Sequence, residues 1–252
     1  MSAKTRAVAY VCASAPPSSC CATARVFADT PDKVAGRNDG SRTVTEQTLG
    51  LFAAARDEVS IASPYFIPGQ RGLAMIRAVG ATQENGRITL ITNSLGSTDE
   101  PLVHASYARY RLDMLKAGVR IYELSPSLSQ RSGRLGNFGR SIGRLHAKAA
   151  TIDRRTVFIG SMNLDARSAR INTEVGLAIE SPELAGTIAT LSREGLATGA
   201  YRLRLSADGE HVEWVEIDPD GTQIVYTDEP GGHWWLRFKQ WLLSPFVSDE
   251  LL

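Results

Sequence analysis

The sequence predicts an α/β protein: a sheet covered on both faces by helices, extended at its C-terminal end by a small antiparallel meander and a terminal helix. Three observations carry this reading. Between residues 59 and 124 short apolar runs alternate with segments of helical length, the pattern of a sheet flanked by helices. Between residues 202 and 226 three short strand-like runs are separated by the turn sequences Ala207-Asp208-Gly209 and Asp218-Pro219-Asp220-Gly221, which is hairpin chemistry. The 252 residues are 43% hydrophobic and 22% charged, a composition that buries a real core.

Residues 1–24 are rich in Ala, Ser and Cys, carry Pro16-Pro17 and show no period, so they are expected to be disordered or a non-native leader. Lys4, Arg6 and the apolar stretch 7–13 fall short of a signal peptide, because the stretch is brief and interrupted by Tyr10. All three cysteines, Cys12, Cys20 and Cys21, lie here, which excludes a disulfide scaffold or a cysteine zinc site in the folded part. Ordered sequence is expected from about Arg25, with a loop at 35–42. Thr43 or Thr45 then caps a helix reaching about Arg56, with Leu49, Phe52 and Ala53 on one face. Val59–Ser63 reads as a buried strand, Gly72–Gly80 as a helix, Arg87–Thr92 as a strand and Leu102–Lys116 as a helix stopped by Gly118. Val119–Leu124 is a strand again. A Ser/Gly/Arg loop at 125–144 is long enough to suggest function. Leu145–Ile152, Thr156–Ile159 and Thr173–Glu180 read as strands, and Ser181–Glu194 as a helix capped by Ser181. Arg202–Leu205, Val212–Ile217 and Gln223–Tyr226 form the meander. A net charge of +1 creates no global field toward nucleic acid, and no apolar run approaches the roughly 18 residues that span a bilayer.

The chemistry concentrates after the long loop. His146 and Lys148 are two apart in an expected strand, so both side chains point to one face. An imidazole beside a fixed ammonium suits attack on phosphorus, with the ammonium holding a phosphoryl oxygen as charge builds. Asp153 opens the turn Asp153-Arg154-Arg155 and is read as structural, tying the turn or its basic neighbours. In Gly160-Ser161-Met162-Asn163 the glycine lets the backbone turn back under the site, while Ser161 and Asn163 supply neutral donors for the same phosphate. Glu174 is placed to hydrogen-bond the far ring nitrogen of His146, fixing its tautomer. The alternative is a solvated carboxylate at a strand end.

The stretch LHAKAATIDRRTVFIGSMNLDARSARINTEVGLAI, residues 145–179, resembles the phospholipase D superfamily motif H-x-K-x(4)-D followed by G-S-x-N and a later Glu. ASPYFIPG at 62–69, LITNSLGSTDEPLVHASYARYR at 90–111 and VRIYEL at 119–124 extend the resemblance to the second half of bacterial cardiolipin synthases, in particular the branch with a phosphatidylethanolamine co-substrate. It covers roughly 25–252. The resemblance implies a phospholipase D-like mixed sheet flanked by helices. It divides the chain into a leader (1–24), a catalytic half-domain (25–198) and a meander with a Trp-rich tail (199–252). It also implies a two-step reaction. One histidine, His146 or its counterpart, attacks a lipid phosphorus to form a phosphatidyl-histidine, and a second protonates the leaving alcohol. No cofactor and no metal are implied, because two lysines and two asparagines carry the charge work. Phosphatidylglycerol and phosphatidylethanolamine are the implied substrates, at a bacterial inner-membrane surface; a cytoplasmic location is the alternative.

Such enzymes carry two motifs, whereas of His104, His146, His211 and His233 only His146 has a lysine two residues later. The chain is therefore read as a partial gene product. It pairs as a homodimer across a twofold axis, pairs with a separate N-terminal half, or is inactive. A single-motif endonuclease is the alternative from another substrate class.

His104, Tyr107 and Arg111 follow at helical spacing and face either a headgroup at the site or ordinary solvent. Tyr65 and Phe66 line a substrate mouth or end a core strand. Arg144 belongs to a basic segment (Arg131, Arg134, Arg140, Arg144, Lys148, Arg154, Arg155) that suits anionic headgroups or a nucleic-acid backbone. Trp234, Trp235, Phe238 and Trp241 make one face of the tail helix, which lies at a membrane interface or docks onto the domain itself.

Overall fold

Among the described residues eleven strands join in one sheet, ordered β1-β2-β8-β7-β6-β3-β4-β5-β9-β10-β11. The computed structural model describes residues 8–10, 22–37, 43–80, 88–125, 144–218 and 220–231. The strands are β1 (Val8–Tyr10), β2 (Thr23–Ala28), β3 (Val59–Ala62), β4 (Ile88–Asn93), β5 (Arg120–Leu124), β6 (Ala149–Ile152), β7 (Thr156–Gly160), β8 (Val175–Glu180), β9 (Ala200–Leu205), β10 (Val212–Ile217) and β11 (Gln223–Tyr226). The helices are α1 (Pro31–Val34), α2 (Val44–Ala53), α3 (Gly69–Gly80), α4 (Pro101–Ala108), α5 (Arg111–Lys116), α6 (Ala166–Arg170) and α7 (Pro182–Gly199).

The sheet is mixed. β3, β4 and β5 pair parallel, and β6, β7 and β8 pair antiparallel beside them. Ladder register puts Ile61, Ala150, Phe158 and Ala178 on one face, and all four are buried. Phe27 stacks on Phe158 with ring centroids 6.2 Å apart. α2 packs against β2, while α7 crosses β5, β6, β7, β9 and β10.

Local chemistry explains the boundaries. Thr43 Oγ1 accepts from the Glu46 N–H at 3.2 Å, a capping interaction that starts α2. Ser181 caps α7 as its sequence position implied. Gly118 takes φ 83° at the end of α5, a conformation glycine adopts without steric cost.

Several boundaries differ from expectation. The helix expected over 102–116 breaks into α4 and α5, with a turn at Arg109 and Tyr110. The buried face of α2 is Val44 and Thr48, with Leu51 and Phe52 against the core, and Ala53 is exposed. β2 begins at Thr23 and pairs with Val8–Tyr10, so part of the expected leader is strand. The meander is not a separate unit: β9 hydrogen-bonds to β5 and continues the same sheet. The Trp-rich tail and the basic loop 126–143 lie outside the described residues.

Candidate active site

Three antiparallel strands end together, and their ends gather the motif residues. The Gly160 N–H donates to the Lys148 carbonyl at 2.9 Å, and the Ser161 N–H to the Val175 carbonyl at 2.9 Å. Residues 148, 160–161 and 175 are thereby neighbours in space although separated by a dozen or more residues in sequence. Gly160 sits opposite Gly176. A Cβ on Gly160 would lie 2.6 Å from the Val175 carbonyl oxygen, and one on Gly176 would lie 2.5 Å from a Phe158 ring carbon. Only glycine fits at either position, because β7 and β8 close directly over the Phe158 ring.

β6 begins at Ala149, so His146 and Lys148 precede the ladder instead of standing in it. They lie in an extended segment, 144–148, with His146 exposed and Lys148 partly buried. The Lys148 Nζ donates to the His146 carbonyl at 3.1 Å. Partial burial lowers the Lys148 pKa below the ordinary lysine value, while the carboxylates of Glu174, Asp165 and Asp99 act in the opposite direction. Among the described residues, the charges that act on this ammonium are all carboxylates.

Glu174 is buried and accepts a short hydrogen bond from the Ser161 hydroxyl. The expected contact between its carboxylate and the His146 ring is not made. His146 leaves the strand before the ladder can present its ring to β8, and the nearby Ser161 hydroxyl takes the carboxylate instead. The same hydroxyl accepts from the Val175 N–H at 3.0 Å. The Asn163 N–H donates to Ser168 Oγ at 3.2 Å, while its buried Oδ1 has no partner among the described residues. Such an orphaned acceptor in a fold marks a place where an outside donor fits.

Asp153 sits at the opposite end of β6 from Lys148. Its carboxylate accepts from the backbone N–H groups of Arg56, Asp57 and Glu58, at 2.7–3.1 Å. Those bonds tie the turn before β3. Arg154 pairs with Glu58.

The headgroup reading of His104, Tyr107 and Arg111 is corrected. All three are buried, in a cluster with Glu123 and Glu229. The Glu123 carboxylate accepts from Arg111 Nε at 2.7 Å, from the Tyr107 hydroxyl at 2.9 Å and from the Trp214 indole N–H at 2.9 Å. Burial opposes ionisation of Glu229, yet the charges of Arg111 and His104 hold its carboxyl well below the usual range. A buried carboxylate requires such partners, and supplying them turns these side chains inward. Tyr65 does lie near the site. Its hydroxyl donates to Asp99 at 2.9 Å, and burial followed by Asp99 pushes its pKa up. Phe66 is a buried core residue. Arg144 is exposed.

Sequence reasoning missed the groups that hold this site. Asp29 and Lys33 form an ion pair at 2.5 Å, with side chains 0% and 3% exposed. Asp29 accepts from the Val44 N–H at 2.8 Å and the Glu174 N–H at 3.0 Å, while Lys33 donates to the Ser168 carbonyl at 2.7 Å. One buried pair therefore ties α2, α6 and β8 behind Asn163 and Glu174. The i,i+4 spacing of Asp29 and Lys33 was the available signal. Asp165 caps α6 through the Ser168 N–H at 2.7 Å; burial raises its pKa and the Ser168 bonds oppose that. Among the described residues no group of His, Cys, Asp and Glu is placed to hold a metal ion, and no helix is long and apolar enough to cross a membrane.

A family described as "Cardiolipin synthase, PLD-like domain" matches residues 49–193. Cardiolipin synthase C of Escherichia coli K12 is 35% identical over 236 residues, covering 92% of this chain and 48% of its own length. Cardiolipin synthase A of Pseudomonas aeruginosa is 29% identical over 153 residues, 61% of this chain and 27% of its own. The chain thus spans half or less of the curated relatives it matches. Among solved structures, phosphatidylserine synthase of Haemophilus influenzae superposes with a TM-score of 0.57 at 12% identity, over 98% of this chain and 51% of that one. The phospholipase D family member Nuc of Salmonella typhimurium gives 0.50 at 16% identity, over 73% and 99%.

Proposed function

Starting from a chain that belongs to the phospholipase D-like family of cardiolipin synthases, we propose that it is one catalytic half of a phosphatidyltransferase that works through His146. The observation that carries this reading is the convergence at the ends of β6–β8. The carboxylates of Glu174, Asp165 and Asp99 act on the Lys148 ammonium, the Ser161 hydroxyl is locked to Glu174, and Asn163 follows two residues after Ser161. An imidazole nitrogen of His146 attacks the phospholipid phosphorus, and the bond from phosphorus to the leaving alcohol breaks. Lys148 and the Asn163 amide hydrogens stabilise the charge gathering on the phosphoryl oxygens. The leaving oxygen takes its proton from a second imidazole, which then removes the proton of the incoming alcohol as that alcohol displaces His146.

The second imidazole comes from a second copy of the chain. Ile159 (45% exposed), Leu177 (40%) and Val175 (51%) make an apolar patch next to the strand ends that carry the site. Exposed patches of this kind mark association surfaces. The substrate is a phospholipid, as the names of the relatives suggest. The test is turnover of phosphatidylglycerol vesicles, followed by lipid chromatography, with sedimentation to find the active species. Activity in the dimer fraction that disappears in His146→Ala supports the proposal. Wild type as inert as His146→Ala overturns it, and turnover of DNA but not of vesicles redirects it to a nuclease.

A further inference from the structure

On its β3 side the segment carrying His146 has no strand to pair with among the described residues. β6 lies beside β3, and β3 is ended by Pro64, which has no N–H to donate and follows directly after Ser63. β4, the next strand over, runs two residues further and ends at Asn93. Asn93 is 1% exposed, and its side chain reaches Leu145 past the end of β3. Its Oδ1 accepts from the Leu145 N–H at 2.8 Å, and its Nδ2 donates to the Leu145 carbonyl at 3.1 Å. Both backbone groups of the residue before His146 are thereby satisfied by one amide. Asn93 is itself fixed. Its backbone is in the β4–β5 ladder opposite Leu124, and Ser97 Oγ donates to Oδ1 at 3.4 Å while also holding the Leu124 carbonyl at 2.8 Å.

We propose that Asn93 is the positioning residue for His146: its side-chain amide stands in for the missing rung of the sheet and sets the backbone from which the imidazole projects. A primary amide presents donor and acceptor side by side, as a peptide unit does in a strand pair. Leucine, serine or aspartate at this position cannot make both bonds. Because a near-attack geometry tolerates little displacement, loosening this segment slows phosphoryl transfer while leaving lipid binding to other residues. The kinetic half of this inference rests on the reading of His146 as nucleophile, whereas the structural half does not.

The test compares hydrogen–deuterium exchange across the full-length chain in wild type, Asn93→Ala and Asn93→Asp. It is paired with the rate of phospho-histidine formation from phosphatidylglycerol vesicles. In Asn93→Ala, exchange in the peptide covering 144–148 quickens at least about tenfold with the β4 and β5 peptides unchanged. In Asn93→Asp, which keeps the acceptor, the Leu145 amide stays within about threefold of wild type. Phospho-histidine formation falls by about 100-fold in Asn93→Ala, with half-saturation by lipid within about threefold. Unchanged exchange at 144–148, or a rise spread equally over the core, overturns the proposal. If Asn93→Ala does not fold, a Leu145 amide in Asn93→Asp that exchanges like an unstructured peptide overturns it. If wild type forms no phospho-histidine, the functional reading fails and the exchange result alone decides the role of Asn93.

Discussion

Replacing Asp29 by alanine strips the site of its buried anchor. The Lys33 ammonium, with its side chain 3% exposed, loses its counter-charge, and the N–H groups of Val44 and Glu174 lose their acceptor. Breaking a buried ion pair from one side costs about 3–5 kcal/mol, because the other charge is left in a poorly polar place. Each orphaned N–H adds about 1–3 kcal/mol where water cannot reach it. Water entering the emptied carboxylate volume offsets part of that, so about 4–5 kcal/mol is expected in total. In a chain of this size the loss lowers the thermal midpoint by about 10–15 °C. Urea denaturation of wild type, Asp29→Ala, Lys33→Met and the double variant supplies the cycle. The double variant should recover at least about 2 kcal/mol relative to the sum of the singles, since it removes the stranded ammonium. A loss below about 1 kcal/mol for Asp29→Ala, or strict additivity, would refute the claim that this pair holds α2, α6 and β8 together.

Other outcomes follow from the same geometry. Gly176→Ala puts a methyl 2.5 Å from the Phe158 ring and should cost about 1–3 kcal/mol in a denaturant midpoint; a neutral result would mean that the ring moves freely. Asp153→Ala removes the acceptor for three backbone N–H groups and should lose about 2 kcal/mol, with Asp153→Asn retaining more of it. Glu229 has its pKa depressed in the folded chain, so its stabilisation is full above the unfolded value of about 4.3 and is lost as pH falls toward the folded one. Stability curves between pH 5 and pH 2 should therefore be flatter at the acid end in Glu229→Gln than in wild type.

The strands and helices were legible where they obey local rules. Gly118, Ser181 and the Asp-Gly turns of the meander end or start elements through their own backbone chemistry, and each does so in the structure. The motif at 145–179 was legible as an ordered string, and Lys148, Ser161 and Glu174 stand next to the adjoining ends of β6, β7 and β8. Illegible were the choices made by distant partners. His104, Tyr107 and Arg111 have the spacing of a solvent-facing or site-facing helix, but Glu123 on β5 and Glu229 after β11 draw them inward. Nothing within five residues of Asn93 announces that its amide will pair with Leu145. The start of β6 moved for the same reason: Pro64 ends β3 early, so the segment before Ala149 has no ladder on that side.

The most direct measurement is to quench the purified protein during turnover of lipid labelled in its phosphate and to locate the label by mass spectrometry under conditions that preserve phosphoramidates. Label carried by His146, and absent in its alanine variant, is the result this account predicts. Label on another side chain, or product formed with no labelled protein at any time, would contradict it.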